Sequence, residues 1–412
     1  MRSALLLAGL SAAAAVGLRG SPVNGVCSDP AAQEAGYYDA AANKHYFYYM
    51  ASSRSSPATD PVVLWLTGGP GCSSLLAGAS LLVRRARSPS SPRAAKTRRA
   101  RGRSREARDG RLTLTPATAL TAPPAFSENG PCLVPETGPN AGKAVYNPYA
   151  WNSNATVIWL DQPAGVGFSY GSETDKDEAD VAVDAYAFLQ AFFKAHPALA
   201  TRPFFVAGES YGGHYAPAIS YAVAQGNKNL APGAVKIPLS GLLVGNGLTV
   251  PLAQYPKYAE LAYNYSITKL GHPVITLKTY QTMVKELATC LPLIERCQTD
   301  TTACSTAQSV CNNAQIGPYE ATGLNPYDIR IPCEVPGLCY DESHITAFFN
   351  DATIQKALGV DQPWQTCNYN VNGASRRFLS PLDADPPHDA DHSPLPLLFS
   401  SASSSSPFRP IQ

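Results

Sequence analysis

Four stretches of the chain are apolar with almost no polar interruption: residues 60–70 (DPVVLWLTGGP), 155–161 (ATVIWLD), 203–207 (PFFVA) and 241–245 (GLLVG). A run without polar alternation predicts a strand buried on both faces. Between the second and third runs, residues 175–196 place Ala182, Ala185, Tyr186, Leu189, Phe192 and Phe193 on one helical face. Buried strands alternating with helices predict an α/β fold built on a mostly parallel sheet. From about Pro251 to Tyr340 the apolar runs give way to cysteines, prolines and short helical patterns. This predicts a disulfide-stapled helical cap inserted in the sheet's connectivity.

Three segments fall outside that pattern. The first residues, MRSALLLAGLSAAAAVGL, set an arginine ahead of an Ala-rich apolar run, the pattern of a secretory signal peptide over 1–20. Residues 78–125 carry eleven arginines and no aromatic residue that could be interleaved with them. Such composition cannot bury enough surface to offset its ordering entropy, so a disordered basic insertion is expected. The missing aromatics, the leader and the cysteines argue against a nucleic-acid partner. Residues 374–412 are rich in Ser and Pro and are expected to be disordered too. The formal charge of the whole chain is +1, which calls for no acidic partner. No later segment is apolar over the thickness of a bilayer, and no membrane partner is expected.

Ten cysteines behind a leader point to an oxidising compartment. Cys290, Cys297, Cys304 and Cys311 recur every seventh residue, and Cys333 and Cys339 follow as a short loop. Zinc is the rival reading, but His272 and His344 are the only histidines flanking these cysteines; disulfides are favoured, and neither metal nor cofactor is expected. Two glycosylation sequons, at Asn154 and Asn264, fit the secretory pathway. A vacuole- or lysosome-like compartment and the exterior both suit these features.

The third apolar run leads into VAGESYGGHY, residues 206–215. Strand, Gly-x-Ser-x-Gly turn and helix in that order form a nucleophile elbow, which lifts Ser210 above the sheet. A developing oxyanion needs N–H donors, and two are at hand: the amide of Tyr211, next after the nucleophile, and one from the turn Thr67-Gly68-Gly69-Pro70.

Further motifs surround the elbow: WLTGGPGCSS (65–74), ENGPC (128–132), NPYAWNSNATVIWLDQPAGVGFSY (147–170), GESYGGHYAP (208–217) and GNGLT (245–249). In this order they resemble the successive signatures of the serine carboxypeptidases, and with the nested cysteines are most similar to the carboxypeptidase Y branch. The resemblance implies an α/β-hydrolase core over 27–77 and 126–250, a cap over 251–340 and a return to the core over 341–373. It implies a peptidase that removes residues from peptide or protein C-termini through an acyl-enzyme, favoured at acidic pH. Ser210 matches the acylated nucleophile, and Gly69 and Tyr211 match the oxyanion amides. Glu128 and Glu209 match a carboxylate pair that grips the substrate's C-terminal carboxylate. Thr67 and Gly68 match the rest of that grip, with Thr67 standing where the family has Asn. Two neighbouring carboxyls cannot easily both ionise, so such a pair holds a proton to offer the substrate. The resemblance also implies disulfides Cys72–Cys367, Cys290–Cys311, Cys297–Cys304 and Cys333–Cys339, leaving Cys27 and Cys132 as a possible fifth.

The base and acid of a triad are not found in this sequence. In α/β-hydrolases they follow the serine, which leaves His214, His272, His344, His388 and His392. His214 belongs to the elbow signature and reads as packing; His272 and His344 fall in or beside the cap. His388 and His392 stand in DADPPHDADHS, with no strand to hold them. The Asp and Gly-Gly-His patterns of the family are absent. Residues 78–125 and 374–412 interrupt the family pattern in the manner of translated non-coding sequence. Two other readings therefore stay open: a catalytically impaired relative or fragment that binds peptides, and a carboxypeptidase-like acyltransferase.

Overall fold

The structure, a computed structural model, describes residues 17–40, 43–76, 128–171, 175, 177–335 and 338–374. The basic insertion at 78–125, nearly all of the tail and most of the expected leader lie outside the described residues. Among the described residues the strands are β1 (Leu18–Pro22), β2 (Gln33–Ala40), β3 (Lys44–Ala51), β4 (Val62–Leu66), β5 (Cys132–Leu133), β6 (Val145–Tyr146), β7 (Thr156–Leu160), β8 (Tyr170–Gly171), β9 (Phe204–Glu209) and β10 (Leu239–Gly245). Strands β5 and β6 form a separate ribbon. The others make one mixed sheet in the order β1-β2-β3-β7-β4-β9-β10, with β8 also beside β3.

The four strands read from their apolar runs, β7, β4, β9 and β10, are the parallel ones. Their composition follows from burial on both sides. In β4, Val62, Leu64 and Leu66 join one core while Val63 and Trp65 join the other, because successive side chains point to opposite faces. The first core is closed by helices α1 (Glu178–Ala195) and α2 (Gly212–Lys228), through Phe188, Leu189, Phe192, Tyr215, Ile219 and Val223. Asp177 caps α1 by accepting the amides of Ala179 and Asp180, and Glu178 and Asp180 sit in its first turn. Both choices favour the positive end of the helix dipole.

The antiparallel extension β1-β2-β3 has no counterpart among the apolar runs. The run Tyr46-Phe-Tyr-Tyr-Met-Ala51 is buried on both faces, but its tyrosines blur the apolar signal. The first strand of the sheet begins at Leu18, inside the span read as leader and ahead of residue 27. Arg19 donates from Nε and Nη2 to the two carboxylate oxygens of Asp39 at 2.6 and 2.7 Å, and its guanidinium lies 5.4 Å from the centre of the Tyr37 ring. These contacts fix the edge strand to its neighbour.

The region after β10 is helical: α3 (Pro251–Glu260), α4 (Ser266–Leu270), α5 (Leu277–Cys297), α6 (Cys304–Gln315) and α7 (Gly317–Glu320). Seven residues make nearly two helical turns, so Cys290 and Cys297 share one face of α5 and meet Cys311 and Cys304 of the antiparallel α6. Disulfides join Cys290 to Cys311 and Cys297 to Cys304, with all four residues fully buried. Further disulfides are Cys27–Cys132, Cys72–Cys367 and Cys333–Cys339. The chain then returns to the second face of the sheet through α8 (Ser343–Phe349), α9 (Ala352–Leu358) and α10 (Tyr369–Ala374), where Phe348, Phe349, Leu358 and Trp364 pack.

Strand β10 ends the sheet and, among the described strands, pairs only with β9. Leu243 and Val244 on it are 40% and 42% exposed. An open apolar edge is a template for pairing with another chain. The chain is expected to self-associate in a concentration-dependent way by sedimentation velocity. Leu243→Lys is expected to shift it toward monomer while changing stability by less than about 0.5 kcal/mol, as an exposed substitution should. A monomeric unsubstituted chain, or association untouched by the lysine, would contradict this role for β10.

Candidate active site

Ser210 sits between β9 and α2 with φ of +55°, a left-handed conformation that L-residues avoid. The turn is held from three sides: the Ser210 amide donates to Gly245 O (3.1 Å), and its carbonyl accepts from Gly213 N (2.9 Å) and Leu248 N (2.9 Å). Strand β9 must turn into α2 with no room for side chains. A Cβ on Gly208 would lie 2.2 Å from Gly212 O. The Ser210 side chain is exposed, and among the described residues its hydroxyl has no hydrogen-bond partner.

The loop after β4 meets this turn directly. A Cβ on Gly68 would fall 2.2 Å from the Tyr211 amide nitrogen and 2.9 Å from Ser210 Cβ. Only glycine lets the Thr67–Gly69 backbone approach the elbow so closely. Thr67 is buried, with its hydroxyl accepting from Trp65 Nε1 at 3.0 Å and its amide donating to Ser74 Oγ at 3.1 Å. The far side of the loop is zipped to the returning chain: Ser73 N donates to Thr366 O (2.9 Å), Asn368 N to Gly71 O (2.8 Å), and Cys72 is bonded to Cys367.

Asp161, just past β7, is fully buried under the same loop. One carboxylate oxygen accepts from Ser73 Oγ (2.6 Å) and Ser74 N (2.8 Å), the other from Phe168 N (2.9 Å). Burial raises its carboxyl to about 6 even though these donors oppose the shift. The sequence reading passed over Asp161. Its signal was a carboxylate ending an apolar strand, where burial demands partners.

Glu209, the last residue of β9, and Glu128, first of the ENGP turn, face each other electrostatically. Burial pushes Glu128 up to about 10, and the charge of Glu209 adds to the shift. Burial pushes Glu209 up to about 7. Glu209 Oε2 is buried and hydrogen-bonded to nothing among the described residues. The ENGP turn is fixed by its neighbours. Asn147 Nδ2 donates to the carbonyls of Glu128 (3.2 Å) and Gly130 (2.8 Å), Trp159 Nε1 to Asn129 Oδ1 (2.9 Å), and Cys132 is tied to Cys27.

None of the described histidines bonds to Ser210. His214 is buried in α2, packs 4.7 Å from the Tyr211 ring centre, and is pushed down to about 4 by burial. His272 is exposed, and His344 is half-buried and lowered by burial. His388 and His392 lie outside the described residues. Asn154 and Asn264 are both exposed. Sequence reasoning also missed Glu178, which accepts a hydrogen bond from the Tyr211 hydroxyl at 2.7 Å.

A mostly parallel mixed sheet, a left-handed serine at a strand-to-helix turn and a glycine loop packed against that turn define a protein of the α/β-hydrolase class. The chain belongs to the serine carboxypeptidase family, whose family model matches residues 25–81 and 118–384. Over 359 residues it is 40% identical to carboxypeptidase Y homolog A of Coccidioides posadasii, covering 85% of this chain and 54% of that protein. The same-named protein of Paracoccidioides lutzii is 38% identical over 357 residues, covering 85% and 53%. The chain thus spans about half the length of the curated relatives it matches. Its fold is similar to that of Kex1Δp, described as a prohormone-processing carboxypeptidase from Saccharomyces cerevisiae. The TM-score is 0.64 at 23% identity, covering 88% of this chain and 73% of that one. Among the described residues no helix is long and apolar enough to cross a membrane.

The raised carboxyls give the site a pH signature. Between the ordinary value of 4.5 and the raised values, the folded chain binds more protons than the unfolded chain. The contribution of the pair is therefore full below about 4.5 and is lost as pH rises, through about 7 for Glu209 and onward for Glu128. Melting temperatures measured from pH 5 to 8 are expected to fall less steeply in Glu209→Gln than in the unsubstituted chain. Equal slopes would rule out a raised Glu209.

Proposed function

We propose that this chain is a serine-type carboxypeptidase that hydrolyses the C-terminal residues of peptides or proteins through an acyl-enzyme. The observation that carries the reading is the half-buried Glu128–Glu209 pair, adjoining the left-handed Ser210, with both carboxyls raised toward or above neutral pH by desolvation. A serine elbow alone would serve any acyl transfer. A neutral carboxyl pair beside it suits a substrate that ends in a carboxylate, because a protonated carboxyl donates to that anion while an ionised one repels it.

In this reading Ser210 Oγ attacks the carbonyl of the last peptide bond, losing its proton to a base. The amides of Gly69 and Tyr211 stabilise the oxyanion. The base returns that proton to the amide nitrogen as the C–N bond breaks, the terminal residue leaves as the amine, and water then hydrolyses the Ser210 ester. Glu128 and Glu209, with Thr67 and the Gly68 backbone, hold the leaving residue's carboxylate. That grip weakens as Glu209 ionises through about 7, so binding is favoured at acidic pH. Five disulfides and two exposed sequon asparagines suit a secretory route to a vacuole- or lysosome-like compartment or the exterior. A second reading, a relative that binds peptides without turning them over, is favoured by the exposed Ser210 hydroxyl, which no described histidine contacts.

Release of the C-terminal residue from an N-blocked dipeptide at mildly acidic pH separates the two. Release abolished by Ser210→Ala supports the peptidase. Peptide binding without release, unchanged by Ser210→Ala, supports the second reading. Thr67→Asn, which extends a donor further toward the grip, is expected to tighten binding of a peptide acid about fivefold, the scale of one net hydrogen bond. Unchanged binding, read by calorimetry, would remove Thr67 from the carboxylate site.

A further inference from the structure

We propose that Glu178, by accepting the Tyr211 hydroxyl, is a positioning residue for the oxyanion site, holding the Tyr211 amide toward the reacting carbonyl. The proposal rests on the acyl-transfer reading of Ser210 given above. Tyr211 joins two roles in one residue: its backbone follows the nucleophile, and its ring runs down into the core, 6% exposed. The ring is held by His214 at 4.7 Å and by Tyr215 at 5.2 Å between ring centres. Its hydroxyl ends 2.7 Å from Glu178 Oε1.

Glu178 is itself well fixed. It is the first residue of α1, directly after the capping Asp177, and is 8% exposed. A carboxyl so buried is costly unless hydrogen-bonded, and Tyr211 is a donor to it. Burial and then the charge of Glu178 hold the Tyr211 hydroxyl well above its ordinary value, so it remains a donor throughout the working range. On its other side the Tyr211 amide abuts Gly68, where a Cβ would lie only 2.2 Å from the amide nitrogen. The amide is therefore bounded by the glycine loop on one side and, through the ring, by Glu178 on the other. Releasing the ring lets the Tyr211 Cα shift, which tilts the Ser210–Tyr211 peptide about the hydrogen bonds that Gly213 N and Leu248 N make to its carbonyl and turns the Tyr211 N–H away from its aim.

The test uses the full chain and an N-blocked peptidyl boronic acid. This probe forms a tetrahedral anion on a serine and so needs the oxyanion amides. The matching peptide acid, with a planar terminus, serves as the ground-state control. Misplacing a reacting group by about 1 Å costs on the order of 100-fold, and losing one oxyanion donor costs about 100-fold or more. In Glu178→Ala and in Tyr211→Phe, boronate affinity is expected to fall between about 10-fold and 100-fold on that scale. Affinity for the peptide acid should stay nearly constant. Glu178→Gln keeps an acceptor oxygen and is expected to restore most of the boronate affinity. Equal losses for boronate and peptide acid, or a lower melting temperature with both affinities unchanged, would overturn the proposal in favour of simple structural support. An unsubstituted chain that binds the peptide acid but forms no Ser210 adduct would overturn the acyl-transfer reading, and this inference with it.

Discussion

The left-handed backbone at Ser210 is the constraint on which the rest of this molecule is arranged. A serine at φ of +55° is strained, and the strain persists only because the turn is over-determined. Gly245 O and the amides of Gly213 and Leu248 hold the Ser210 peptide groups. The glycines around it remove the side chains that would force β9 and α2 apart. The same absence of side chains admits the loop after β4, so one local decision, to turn sharply, also brings the Gly68 backbone up against the Tyr211 amide.

Electrostatics follow from that geometry. Packing two strand-end loops against an elbow buries whatever the loops carry, and here they carry carboxyls. Asp161 is buried with a full set of donors and serves as a staple between the loops after β4 and β7. Glu209 is half-buried, and its buried Oε2 lacks any hydrogen bond among the described residues. The difference separates structure from chemistry: a satisfied carboxylate holds loops together, whereas an unsatisfied one is available to a ligand.

How much of this could be read in the sequence depends on range. The four parallel strands were legible because burial on both faces leaves a continuous apolar run, a signal needing no knowledge of neighbours. The elbow was legible because its strand, turn and helix are contiguous. Strands β1 to β3 were not, since their tyrosines bury rings on both faces while sending hydroxyls to partners such as Glu34, bonded by Tyr48, and Asp184, bonded by Tyr46. The facing of Glu128 and Glu209 came only from family resemblance, because 81 residues of chain separate them. The Glu178 contact with Tyr211 crosses 33 residues, and no pattern within either segment announces it.

The nested disulfides of the cap have a mechanical consequence. Bridged at two levels, α5 and α6 cannot slide or roll against each other, so the pair moves as one splinted rod. Asn312 Oδ1 of that rod accepts the Tyr255 hydroxyl of α3 at 2.6 Å. Helix α3 begins three residues after Leu248, whose amide grips the Ser210 carbonyl. A load applied at the far end of the rod therefore has few soft joints in which to dissipate before it reaches the peptide group of the serine itself.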